Sequence, residues 1–239
     1  MTDRIMCIDL ESTGLDIRKD RPVQLCLLSY QDGSLDVLMD TLVNPAMPIP
    51  LTASDIHGIR TGDVAHAPHY LTAIGQLVDL LGQEPDQNDQ PYLIGFNSSN
   101  YDIPLLNNCY GSAITDLPHI DVLRMARHHY PDVRGRLGGK KLEELYEVFI
   151  GEVPADKHDA LGDTWATLRL FIELVNKTGV SLHDLAEEQR HPQRYQIMPL
   201  GKYMGWPVEA VPRSWAYYMS LQPDLDQDLR ATVDWILDQ

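Results

Sequence analysis

Residues 4–10 constrain the fold more than any other stretch. Ile5, Met6, Cys7 and Ile8 are apolar in succession, Asp9 interrupts, Leu10 follows, and Ser12-Thr13-Gly14 breaks the run. A strand apolar on both faces belongs inside a sheet that is covered on both sides. Residues 23–30 read as a second strand, 31–34 (Gln-Asp-Gly-Ser) as a turn, and 35–43 as a third strand. Short connections make the three an antiparallel meander.

The pattern then changes period. Residues 66–81 read as a helix, 91–96 as a fourth strand, and a short helix starts near Tyr101. Residues 119–128 and 140–149 read as helices. The strongest helix runs over 159–176, with Leu161, Trp165, Leu168, Ile172 and Val175 as its predicted apolar stripe. Strands first and helices afterwards, with one helix between strands, imply a layered α/β or α+β domain. Composition shifts near Gly179. The chain therefore divides into a domain over residues 1–178 and a small appendage over 179–239, which closes on an amphipathic helix through Trp235, Ile236 and Leu237.

Charge excludes one class of function. The net charge is −16, from 35 acidic and 19 basic residues, so the overall field repels polyanions. Any nucleic acid has to be held by a local basic patch or by metal ions. No stretch reaches the roughly 18 apolar residues of a membrane span, and the N-terminal apolar run is too short for a secretory signal. Cys7, Cys26 and Cys109 form no C-x-x-C pair, which fits reduced, structural thiols in a cytoplasmic protein.

Several acids stand where chemistry is possible. Asp9 and Glu11 lie two apart on a buried strand, so they share one face. With 35 acids in 239 residues, chance alone gives about five acid-x-acid pairs, so location is what matters. Two carboxylates ending a central strand are costly unless a cation neutralises them or the strand ends in solvent. Asp102 follows the fourth strand, as a ligand or as a helix cap. His158 and Asp163 open the long helix, where an aspartate also suits the helix dipole.

Taken together, D-x-E on the first strand, an Asp near residue 100, and H-x-x-x-x-D near residue 160 resemble the DEDDh exonucleases. This ribonuclease-H-like family includes bacterial polymerase III proofreading subunits, ribonuclease T and oligoribonuclease. Asp9-Leu10-Glu11-Ser12-Thr13-Gly14-Leu15 is similar to its first motif and Ile56-His57-Gly58-Ile59 to its I-H-G-I segment. Asn97 with Tyr101-Asp102 resembles N-x-x-F-D, with Tyr for Phe, and Phe96 replaces a His often found before Asn97. Lys141-Leu142-Glu143-Glu144-Leu145 resembles K-L-x-x-L, and His158 to Asp163 fits H-x-A-x-x-D. The resemblance covers about residues 4–177. In the appendage, residues 198–218 resemble the C-terminal G-K-Y-x-G segment of exodeoxyribonuclease X-type enzymes, although Met204 and Trp206 stand where basic residues are common.

The resemblance implies a mixed five-stranded sheet flanked by helices and a 3′-to-5′ exonuclease. Its expected substrate is the 3′ end of DNA, as a single strand, and its product nucleoside 5′-monophosphates. Two Mg²⁺ or Mn²⁺ ions are expected. Asp9 would bridge them, Glu11 and Asp163 would complete the water-activating site, Asp102 would hold the second ion, and His158 would be the general base. Thr13, Gly14, Leu15, His57 and Asn97 would contact the terminal nucleotide. Six of the 19 basic residues fall within 18 positions (Arg124, Arg127, Arg134, Arg136, Lys140, Lys141), and this patch, Arg134 and Arg136 above all, would guide the strand. A polymerase or repair partner is compatible. An exoribonuclease of the ribonuclease T or oligoribonuclease kind is the alternative enzyme. A catalytically idle nucleic-acid-binding module is the alternative of another class.

Overall fold

A computed structural model describes residues 3–82, 90–131, 141–154, 159–223 and 225–239. Five strands, β1 (Ile5–Ser12), β2 (Pro22–Gln31), β3 (Ser34–Leu42), β4 (Tyr92–Gly95) and β5 (His119–Asp121), form one sheet in the order β3-β2-β1-β4-β5. The β1–β2 and β2–β3 pairs are antiparallel, while β4 runs parallel to both β1 and β5. The expected mixed five-stranded sheet is thus present, with β1 at its centre.

Nine helices occur among the described residues: α1 (Leu51–His57), α2 (Tyr70–Leu81), α3 (Asp102–Tyr110), α4 (Val122–His129), α5 (Leu142–Ile150), α6 (Ala160–Thr178), α7 (Leu182–Gln189), α8 (Arg213–Ser220) and α9 (Gln227–Asp238). They cover both faces of the sheet, as a doubly apolar strand requires. Ile5 and Cys7 pack with α6 through Phe171 and Leu174. Met6, Ile8 and Leu10 face the other way, onto Ile74 and Leu77 of α2 and Leu105 and Leu106 of α3. This alternation decides the site, because Asp9 and Glu11 continue the face of Ile5 and Cys7, toward α6.

Two expectations need correction, and one segment goes beyond what the sequence showed. Residues 119–128 are not one helix, since 119–121 form β5. A three-residue strand is too short to show a period, and Ile120 continues the apolar pattern of α4. The stripe expected on α6 is also displaced. Trp165 is 47% exposed, and the buried set includes Ala160, Thr164, Thr167, Leu168, Phe171, Leu174 and Val175. The small residues at 160, 164 and 167 allow close approach to β1, where the Cys7 thiol meets the Thr164 carbonyl at 3.5 Å. The segment 51–57, where only the I-H-G-I match was legible, is helical and ends on Gly58 in the left-handed region at φ 78°.

Residues beyond Gly179 split between two cores. Leu182, Leu185 and Ala186 of α7 join the core under the sheet. Tyr195, Met198, Val208, Val211, Ala216, Leu229, Val233 and Ile236 make a separate cluster. No helix among the described residues is long and apolar enough to cross a membrane. Cys7 and Cys26 are buried free thiols, and burial pushes Cys26 up to about 12, so both stay protonated.

Candidate active site

Three elements converge at one end of the sheet. β1 presents Asp9 and Glu11 toward α6. The N-terminus of α6 is fastened there by Gln24 on β2. Gln24 donates to Asp159 Oδ1 at 2.9 Å and to Asp40 Oδ1 at 3.1 Å, and its Oε1 accepts from Ala160 N–H at 3.3 Å. Asp159 caps the helix by accepting from Gly162 N–H, which leaves Asp163 in the first turn. The result is that one carboxylate oxygen from each of Asp9, Glu11 and Asp163 lies within 4.8 Å of the others.

Asp102 arrives from the opposite side. β4 pairs with β1 only as far as Cys7–Ile94, so the chain leaves the sheet at Gly95, beside the Asp9 end of β1. It then turns through residues 96–101 and starts α3 at Asp102, which is 4% exposed. Asp102 is the first residue of α3, one past the N-cap Tyr101, which makes no side-chain cap bond. Three residues separate Asn97 from Tyr101, one more than in N-x-x-F-D, and Asn97 takes a left-handed φ of 58°, which asparagine tolerates. The tyrosine in place of Phe is accommodated because its hydroxyl bonds Ser12 Oγ and the Gly14 carbonyl. This ties the loop to the end of β1.

The acids strain one another electrostatically. Burial, then the charges of Asp102, Asp163 and Glu11, hold Asp9 well above the usual carboxylate range. Burial and then Asp163 push Glu11 to about 7. Burial and then the charge of Asp121 push Asp102 to about 7. Four oxygen-bearing side chains that cannot all ionise without a counter-charge fit hard divalent cations. The sign of the pH effect follows. The folded chain keeps these protons to higher pH than the unfolded chain, so metal-free stability falls as pH rises from about 4 through 7. The Mg²⁺-induced rise in Tm is therefore expected to grow between about pH 5 and about pH 8, reaching on the order of 5 °C. Thermal unfolding with Mg²⁺ and with EDTA checks it, and a pH-independent shift counts against the acid cluster as the binding site.

Other expected site residues fall as follows. Leu15 is 86% exposed and lines a groove of about 540 Å³ with Asp16, Ile17, Arg18, Asn100 and Tyr101. Thr13 is buried, and its hydroxyl donates to Asp20 Oδ1 at 2.7 Å. A side chain on Gly14 would meet the Asp20 carboxylate at 2.7 Å, so glycine is needed for that packing. His57 Nδ1 accepts from Ile59 N–H at 3.0 Å, which leaves Nε2 to donate to the Ser12 carbonyl at 3.2 Å. His158, Arg134, Arg136 and Lys140 lie outside the described residues.

The basic patch is corrected in part. Arg124 and Arg127 are not open to a ligand. Their side chains are 6% and 7% exposed and pair with Asp228 at 2.6 Å and Asp226 at 3.4 Å. Both acids lie more than 90 residues away in the chain, so local charge density could not show that the arginines were already paired. Gln24 and Asp121 are functional candidates that the sequence reading missed. Gln24 did leave a signal, as a polar residue inside an apolar strand.

An exonuclease family model of the RNase T class matches residues 6–171. The chain belongs to this exonuclease family. Exonucleases of the family normally use divalent metals. Sequence relatives include the PolC-type DNA polymerase III of Bacillus subtilis, 26% identical over 79% of this chain and 13% of that protein. Three-prime repair exonuclease 1 of Bos taurus is 27% identical over 69% of this chain and 61% of that protein. The polymerase III epsilon subunit of Aquifex aeolicus is 24% identical over 71% and 79%. The first relative is thus matched over a small part of its length. Among solved structures, E. coli Exonuclease I in complex with a dA16 oligonucleotide has a TM-score of 0.61 at 17% identity, over 78% of this chain and 43% of that one. At that identity the likeness concerns the fold.

Proposed function

We propose that the chain is a metal-dependent 3′-to-5′ exonuclease that removes nucleoside 5′-monophosphates from the 3′ end of single-stranded DNA. The observation that carries this reading is the meeting of Asp9, Glu11 and Asp163 within 4.8 Å, with Asp102 buried beside them. In this reading residues 1–178 are the nuclease domain and 179–239 an appendage of the exodeoxyribonuclease X type, in a cytoplasmic protein with reduced cysteines. DNA is favoured because the relatives named above are a repair exonuclease and polymerase III proteins, which also suggests a polymerase or repair partner.

Asp9, Glu11, Asp102 and Asp163 would hold two divalent ions, Mg²⁺ or Mn²⁺. Bound there, such ions neutralise charge developing on the phosphate and acidify water. The chain's own residues do the rest. His158, just ahead of α6, takes the proton of the attacking water, a task suited to an unperturbed pKa near 6.5. Leu15 wedges against the terminal base. Gly14, His57 and Asn97 line the terminal nucleotide, with Thr13 buried behind them on Asp20, and Arg134 and Arg136 draw the strand toward the site.

The test is digestion of end-labelled DNA and RNA oligomers with Mg²⁺ and with EDTA. Mg²⁺-dependent release of mononucleotides from DNA, several-fold faster than from RNA, is expected. Equal or faster RNA turnover replaces the DNA assignment with the exoribonuclease one. No metal-dependent turnover replaces it with an idle binding module.

A further inference from the structure

Asp121 ends β5 and is 1% exposed. Its carboxylate accepts four main-chain N–H groups. Oδ1 takes Leu123 at 3.0 Å and Arg124 at 3.2 Å, which caps α4, and also Asn97 at 3.0 Å. Oδ2 takes Ser99 at 3.1 Å. Capping alone needs one oxygen, so half of this carboxylate's work is done on the loop between β4 and α3. The main chain of Asp121 is itself fixed. Its N–H donates to Gln189 Oε1 at 2.8 Å, and its carbonyl accepts from Gln189 Nε2 at 3.2 Å.

The loop depends on these bonds because it is tightly folded. A side chain at Gly95 would lie 2.6 Å from Ser98 Oγ, and that hydroxyl meets His119 Nε2 at 2.9 Å. The Ser98 carbonyl accepts from Ile103 N–H at 3.1 Å, so the loop's position passes directly into the first turn of α3, where Asp102 stands. We propose that Asp121 is a positioning residue for the candidate site: its carboxylate holds the 97–101 loop on the N-terminus of α4 and thereby sets where Asp102 lies. The proposal rests on the reading of Asp102 as a cation ligand. Ligand sets tolerate misplacement of well under 1 Å, and groups that orient them matter accordingly.

Asp121→Asn tests it selectively. The amide keeps Oδ1 for the cap and for Asn97 but turns an N–H donor toward Ser99 N–H. Expected are a folded protein with Tm lowered by several degrees, a kcat lowered on the order of 10–100-fold with KM for a DNA oligomer held within about twofold, and a Mn²⁺ Kd by electron paramagnetic resonance raised about tenfold. Native kcat and Mn²⁺ binding in a folded Asp121→Asn, beside an inactive Asp102→Ala, overturn the positioning role alone. Native turnover by Asp102→Ala overturns the reading of Asp102 and the proposal with it. Amide hydrogen exchange on the unmodified protein supplies a readout that no variant's folding can spoil. Asn97 and Ser99 N–H should exchange as slowly as those of Leu123 and Arg124, and open-loop rates overturn the proposal.

Discussion

Replacing Asp9 with Asn is expected to remove hydrolysis, a loss of about 10⁴-fold or more, in a protein that is more heat-stable without metal than the unmodified chain. Both effects have one cause. Asp9 sits between Asp102, Asp163 and Glu11, and burial together with their charges raises its pKa. Asparagine keeps the shape and removes one charge, so mutual repulsion falls and metal-free Tm at about pH 8 rises by a few degrees. The same change replaces one of the two Asp9 carboxylate oxygens with an amide nitrogen and removes the charge, so under the proposed function the Mg²⁺-induced gain in Tm should shrink as well. His158→Ala separates the two functions. It is expected to slow turnover by about 10²–10⁴ while the Mg²⁺-induced gain in Tm survives. Residual activity near the native rate in Asp9→Asn would remove the basis for the site assignment.

Replacing Asp228 with Ala is expected to cost about 3–5 kcal/mol of stability, which for a chain of this length lowers Tm on the order of 10 °C. Asp228 is 1% exposed and accepts from Arg124 Nε at 2.6 Å, Arg124 Nη2 at 2.8 Å, His128 Nε2 at 2.9 Å and Gln193 N–H at 2.7 Å. Burial opposes its ionisation, yet these bonds hold its pKa below the ordinary value. Its contribution is thus present above about pH 4 and lost as pH falls further. Most of the cost of the alanine variant is the arginine left buried without a counter-charge. A double change, Arg124→Met with Asp228→Leu, should therefore recover much of the loss. Urea or thermal unfolding measures both. A single variant with native stability would mean that the cluster around Tyr195 and Val233 alone seats α9.

The two predictions draw on parts of the chain that differ in how legible they were. The acids of the first were readable because local rules apply to them. Period-two alternation puts Asp9 and Glu11 on one face, an apolar run places that strand in mid-sheet, and an acid five residues after His158 falls in a helix's first turn. The arginines of the second read, from the sequence, as part of a basic patch. Their number and spacing are local facts, but their partners lie across the fold, at sequence separations of 104 and 99. β5 escaped for a related reason. Its three residues are held by β4 and by Gln189, and nothing in their own pattern differs from the helix that follows.

By itself, then, the sequence determined the central strand, the facing of its two carboxylates and the order of the acids along the chain, because backbone geometry translates residue spacing directly into direction. Tertiary structure alone decided which charges pair with an opposite charge and which are brought against like charges. Asp228 neutralises Arg124, whereas Asp9, Glu11 and Asp163 crowd together. That distinction depends on distances between groups far apart in the chain, and only the packed sheet and helices set those distances.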